Sequence, residues 1–332
     1  MKRLAVITLV LLLLLTAALC GCTENTTKSY SKISIVCTIF PQYDWVRQIL
    51  GDKANNMNLT LLLNSRIDLH NYQPSVEDIV KISDCDLFIY VGGESDGWVE
   101  NALSQATNKN MIVINLLETL GGAAKIEELV EGMEEDRHDE EQEDAGEDEH
   151  AREAEYDEHV WLSLQNAQVF CAVITESLSS LDSGNAMTYK NNLAAYTEKL
   201  SALDFEYQAV VSAAPVKTLI FGDRFPFRYL VDDYGLDYFA AFVGCSAETE
   251  ASFETIIFLA AKVDELNLKS IMVTESSDKR IAETVIRESK GSNQQILVLD
   301  AMQSVSSSDL ANGATYLSVM ESNLSILKEA LK

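Results

Sequence analysis

Residues 186–213 read AMTYKNNLAAYTEKLSALDFEYQAVVSA, a run of 28 residues with neither proline nor glycine. Tyr189, Leu193, Tyr196, Leu200, Leu203, Tyr207 and Val210 recur through it at steps of three and four, the spacing that gathers apolar side chains on one face of an α-helix. At 1.5 Å per residue such a helix reaches roughly 40 Å, long enough to lie along two lobes. Pro215 stops it, because proline has no N–H to continue the ladder. On both sides of the run, short apolar β-rich stretches alternate with helical ones. Upstream, strands are predicted at Ile33–Phe40, Leu59–Leu63, Leu87–Val91 and Met111–Leu116, with helices running on to Leu50 and over Val76–Ser83 and Trp98–Thr107. Downstream, strands are predicted at Thr218–Phe221, Tyr238–Val243, Ser270–Thr274 and Ile296–Leu299, and helices at Ser252–Leu266, Arg280–Lys290 and Tyr316–Leu331. Strands alternating with helices at this spacing give parallel sheets. The expected architecture is therefore α/β, with two Rossmann-like lobes (33–185 and 215–332) joined by a long rigid backbone helix at 186–214.

The chain begins with a different kind of segment. Lys2 and Arg3 precede an almost wholly apolar run from Leu4 to Leu19, which stops at Leu19-Cys20-Gly21-Cys22. A run this short fits a signal peptide better than a membrane span. An aliphatic residue at −3 and a small residue at −1 set Cys22 in the register of a bacterial lipobox, and Cys20 does not fit because Leu19 would stand at −1. Residues 1–21 are read as a lipoprotein signal peptide, Cys22 as the lipidated residue and 22–32 as a flexible tether. The expected location is the extracytoplasmic face of the cell membrane, lipid-anchored. Four other cysteines, Cys37, Cys85, Cys171 and Cys245, lie far apart with no CxxC pair. Export permits disulfides, and spacing leaves both free thiols and pairing open.

Charge narrows the partners. With 52 Asp and Glu against 25 Lys and Arg, the net charge is −27, which repels phosphate backbones and excludes nucleic acid as a partner. Between Glu127 and Glu158, 18 of 32 residues are acidic and two are Arg. Such a block resists packing and predicts a solvated, disordered loop at 127–155. Two of the four histidines, His138 and His150, fall inside it, where they suit weak cation capture.

The other two histidines stand at the edges of the first lobe. His70 lies in Asp68-Leu69-His70-Asn71-Tyr72-Gln73-Pro74-Ser75, after a strand and before a helix that Ser75 can cap. A residue at a strand exit of an α/β lobe faces the ligand crevice. His159 lies in Tyr156-Asp157-Glu158-His159-Val160-Trp161-Leu162, where the acidic stretch returns to the fold. Neutral imidazole is a good ligand for zinc and its neighbours, and carboxylates can complete a four-coordinate site. No HExxH or phosphate-loop lysine motif is present, and an enzyme is not expected.

From about Ile33 to its end the sequence resembles the metal-specific solute-binding proteins of bacterial zinc and manganese ABC importers. The resemblance is carried by Phe40-Pro41-Gln42-Tyr43-Asp44, DLHNYQPS at 68–75, the acid-rich stretch leading into DEHVW, Asp233-Tyr234-Gly235-Leu236, Glu250-Ala251-Ser252 and Gly313-Ala314-Thr315-Tyr316-Leu317. It implies a metal site in the interlobe cleft, with His70 and His159 as the first two ligands. The family's third ligand, His or Glu, falls on Gly222, and the adjacent Asp223 is the replacement the segment offers. A fourth, carboxylate ligand falls on Asp300. Read alone, Asp300 also suits a turn and Asp223 a salt bridge to Arg224 or Arg228; Glu275 ranks lower. Two imidazoles with one or two carboxylates suit Zn²⁺ and accept Mn²⁺ or Fe²⁺. The implied function is that of a monomeric receptor that delivers Zn²⁺ to an ABC permease. The alternatives are a manganese or iron receptor of the same type, or a surface metal chaperone or adhesin.

Overall fold

Four-stranded parallel sheets form the centre of each lobe in the computed structural model of the chain, which describes residues 32–65, 67–134, 155–246 and 250–332. The segment read as a signal peptide, Cys22, the expected tether up to residue 31, His138 and His150 lie outside the described residues, as does most of the acidic stretch. In the first lobe β1 (Ser34–Cys37), β2 (Asn58–Leu61), β3 (Leu87–Tyr90) and β4 (Ile112–Asn115) run in the order β2-β1-β3-β4. In the second, β5 (Thr218–Phe225), β6 (Asp237–Val243), β7 (Ser270–Thr274) and β8 (Gln295–Leu299) repeat that walk as β6-β5-β7-β8. All pairings are parallel. Helices cover both faces of such sheets, so the strands read as unbroken apolar runs rather than alternating ones. Ile-Met-Val at the centre of β7, a strand buried at all five positions, is one case. In each sheet the chain steps to one side of its first strand and then crosses to the other. That reversal opens a crevice at the carboxyl ends of the strands.

Ala186–Ala213 is one uninterrupted helix of 28 residues. Its inward stripe is Tyr189, Tyr196, Leu200, Leu203, Tyr207 and Val211, with Leu193 and Val210 at the margin of the core. It is fastened at both ends. Asn192 donates to the Ile49 carbonyl of the first lobe at 2.8 Å, and Tyr207 donates to the Met320 carbonyl at 2.6 Å. Asp204 accepts from the Tyr234 hydroxyl at 2.8 Å.

The lobes share one apolar core. Trp45, Trp161, Phe170 and Tyr316 meet in it, fully buried, and polar atoms are matched across it. The Trp161 indole donates to the Ala301 carbonyl at 2.9 Å, and the Tyr316 hydroxyl donates to the Trp161 carbonyl at 2.7 Å. Asp44, buried in the Phe40–Leu50 helix, accepts from the Tyr316 N–H at 2.9 Å, so a first-lobe carboxylate sits at the positive end of the Tyr316–Ala330 helix. The helix Leu164–Leu181 was not anticipated. Its sequence, LQNAQVFCAVITESLSSL, is apolar on too many sides to show a stripe.

The acidic stretch starts in ordered structure. Ile126 bridges Tyr156 in an antiparallel contact, Arg228 pairs with Glu128 at 3.1 Å, and Glu134 donates its N–H to the Ala241 carbonyl at 2.9 Å. Residues 127–134 thus run along the second lobe. Their charges are met by Arg228 and by backbone N–H groups rather than by water alone. All four described cysteines are free thiols.

Candidate metal centre

His70 and His159 arrive from opposite ends of the first-lobe sequence, each held by a carboxylate two residues earlier. Asp68 accepts from the His70 N–H at 3.1 Å and begins a single turn, Leu69–Asn71. Asp157 accepts from the His159 N–H at 2.8 Å, and its Oδ1 also lies 3.1 Å from the ring Nδ1. A carboxylate at Nδ1 places the proton there and leaves Nε2 with its lone pair. His70 is set likewise: its Nδ1 is 2.7 Å from the Ser95 hydroxyl and 3.5 Å from a Glu158 oxygen. Glu158 in turn accepts from the Ser95 N–H at 2.9 Å. The Gly92-Gly93 pair after β3 makes room for this. Gly93 has a φ of +84° and a Cβ there would fall 2.3 Å from the Glu158 carboxylate, so neither the backbone nor the space admits another residue.

The two Nε2 atoms consequently face one another at 3.2 Å. Around a tetrahedral zinc with bonds of about 2.05 Å, two nitrogens stand about 3.3 Å apart. Two lone pairs directed at one point repel unless a positive group lies between them. Here the Gln303 amide nitrogen fills that role, 2.9 Å from His159 Nε2 and 3.2 Å from His70 Nε2. Cys245, just past the exit of β6, is the third residue of the cluster with a potential ligand atom. Its sulfur and one ring nitrogen of each histidine lie within 4.8 Å of one another. The cluster therefore draws on strand exits of both lobes, in the crevice that the sheet order creates.

Electrostatics separates the two imidazoles. Burial first, and then the neighbouring His159, push His70 down to about 3. For His159 burial acts in the same direction but is outweighed by Asp157, with Glu158 and Glu127 adding to it, so its pKa is raised. Burial raises Glu158 to about 7. Carboxylates surround the site, a setting that attracts a cation.

The two carboxylates expected beside the histidines, Asp223 and Asp300, stand outside this cluster and hold backbone. Asp223 accepts from the Arg224 N–H at 2.8 Å and, through its other oxygen, from the Thr274 N–H and hydroxyl at 2.9 and 2.8 Å. Asp300 accepts from the Met302 N–H at 2.7 Å, steadying a residue with a φ of +60°. Burial, then Glu275, raises Asp300 to about 7. Glu275 itself accepts from the Ala301 and Gln303 N–H groups at 2.8 and 2.9 Å. Asp300 and Glu275 together shape the turn that presents Gln303. Sequence reasoning passed over Gln303 because an amide is a weak metal signal, and weighed Cys245 only for disulfides.

Comparison with known proteins places these features. The family described as zinc-uptake complex component A, periplasmic, matches residues 35–330. The chain is 32% identical over 320 residues to the zinc-binding lipoprotein AdcA of Streptococcus pneumoniae serotype 4, covering 95% of this chain and 60% of that protein. It is 30% identical over 316 residues to the high-affinity zinc uptake system protein ZnuA of Bacillus subtilis, covering 94% and 93%. Among solved structures, the Zn(II)-bound ZnuA-like domain of Streptococcus pneumoniae AdcA superposes with a TM-score of 0.67 at 29% identity, over 91% of this chain and 99% of that one.

Proposed function

The chain belongs to the periplasmic zinc-uptake component A family, and from that premise we propose that it is an extracytoplasmic receptor that captures Zn²⁺ and passes it to an ABC permease. The observation that carries the reading is the facing pair of Nε2 atoms at 3.2 Å, a separation that suits a tetrahedral divalent ion. His70 and His159 are the proposed primary ligands. Asp157 and Ser95 fix their tautomers, and an outer shell of this kind orients ligands and raises their basicity. Asp300 and Asp223, whose oxygens hold the turns around the site, are proposed to act on affinity through the placement of Gln303 and β5. Zinc is favoured over manganese and iron by the relatives' names and by imidazole nitrogen at the centre. The receptor is proposed to be monomeric, anchored through a lipid on Cys22 after removal of residues 1–21. It acts by binding and delivery rather than by catalysis. His138 and His150 are proposed as weak capture sites.

The test is elemental analysis of protein purified without added metal, followed by Zn²⁺ and Mn²⁺ competition and by growth of a deletion strain on zinc-depleted medium. One zinc per chain and zinc-reversible growth failure are expected. Stoichiometric manganese or iron with no zinc would replace this reading with the receptor for those ions.

A further inference from the structure

The resemblance leaves a gap at Gly222, and the structure shows why no side chain returns there. A Cβ at Gly222 would lie 2.7 Å from the Ala282 Cα and 2.8 Å from its backbone nitrogen. The Arg280–Glu288 helix presses on β5 at that point, so the exit of β5 cannot offer a ligand at this position. The next strand can. β6 pairs with β5 in parallel register through Phe225 and Val243, and the two residues after Val243 are Gly244 and Cys245. A Cβ at Gly244 would meet the Phe225 carbonyl at 2.9 Å and His159 Cε1 at 3.0 Å. Glycine therefore lets the exit of β6 slide against the imidazole. Cys245 is next in line, its N–H donating to Glu127 at 3.0 Å. Its sulfur falls within 4.8 Å of one ring nitrogen of each histidine, where tetrahedral zinc would set sulfur and nitrogen about 3.6 Å apart. The other described cysteines are free thiols buried in the apolar core.

Resting on the zinc-receptor reading, we propose that Cys245 is the third metal ligand, bound as thiolate, and the residue that sets selectivity for thiophilic ions. On binding, the S–H bond breaks, its proton passes to solvent, and the sulfur lone pair forms the Zn–S bond in place of a water of the incoming ion. Thiolate favours Zn²⁺ and disfavours Mn²⁺, which prefers oxygen. An imidazole or carboxylate in the same place would discriminate less.

Cobalt(II) titration of the full chain tests this, because cobalt takes zinc's tetrahedral sites and reports sulfur by a near-ultraviolet charge-transfer band. Wild type is expected to show the band. Cys245→Ser is expected to bind cobalt without it, and its preference for Zn²⁺ over Mn²⁺ should fall about tenfold or more. In parallel, zinc should protect Cys245 of the wild type from alkylation, with the labelled peptide located by mass mapping, a readout that needs no variant to fold. Tight cobalt binding by wild type without the band would overturn the proposal and leave the receptor intact, as would unchanged alkylation in saturating zinc. Failure of wild type to bind zinc or cobalt tightly would overturn both the ligand and the receptor reading.

Discussion

His159 carries more of the site than His70, although both were found from the same kind of motif. Its side chain is fully buried, Asp157 holds both its backbone and its ring, and Gly244 and Gln303 pack against it. Alanine at either histidine is expected to lower zinc affinity by more than the ~10–100-fold that loss of an outer-shell partner costs, and Asp157→Asn by an amount within that range. Calorimetric titration of the three variants orders them; an Asp157→Asn loss equal to His159→Ala would mean the ring is held by Asp157 alone. A second residue tests electrostatics away from the metal. Asp233, largely buried, has one carboxylate oxygen without a hydrogen-bond partner, and burial pushes its pKa up to about 6. The folded chain then binds a proton that the unfolded chain releases at about 4. Its contribution is present below that value and is lost as the pH rises through about 6. Asp233→Asn is therefore expected to raise stability at pH 7.5, by at most roughly 3 kcal/mol, and to change little at pH 4. Thermal melts at the two pH values decide it, and a gain of equal size at both would refute the charge argument.

At the scale of elements, periodicity did most of the reading. The helix bounds at 186 and 213 follow from an unbroken run with a proline just beyond, and the strands of both sheets stand within a few residues of their apolar runs. What local pattern could not show was three-dimensional neighbourhood. Cys245 is 86 positions from His159 in sequence, and only the β5–β6 pairing brings it to the imidazoles. The turn at Asp300–Gln303 reads as one candidate carboxylate until backbone hydrogen bonds show its oxygens already engaged. The long helix also makes its own prediction. Proline at Ala195, whose N–H lies mid-helix, should cost about 3 kcal/mol or more by removing a ladder bond and clashing with the preceding turn. The fastenings at Asn192 and Tyr207 lie on either side of it. Denaturant melts should show one transition shifted to lower midpoint. Two separated transitions would mean that each lobe folds by itself.

At the scale of the molecule, charge and core have separate duties. The acidic stretch supplies more than half of the net charge of −27, while the ligands that the cluster gathers lie outside residues 135–154. Deletion of those residues is expected to leave one tight zinc equivalent and to remove only weak further binding, as counted by equilibrium dialysis. Loss of the tight equivalent would make His138 or His150 a primary ligand. The common core has a different consequence, which concerns time. Trp161, Tyr316 and Ala301 tie the lobes together beside the candidate metal centre, and Arg224 pairs at 2.7 Å with Asp68, two residues before His70. These ties oppose a jaw-like opening of the lobes, and on the proposed receptor reading they leave residence time to the small loops at the strand exits. Unaided zinc loss to a chelator should then be slow and independent of chelator concentration. Arg224→Ala, which removes the pair to Asp68, should accelerate that loss in stopped-flow release.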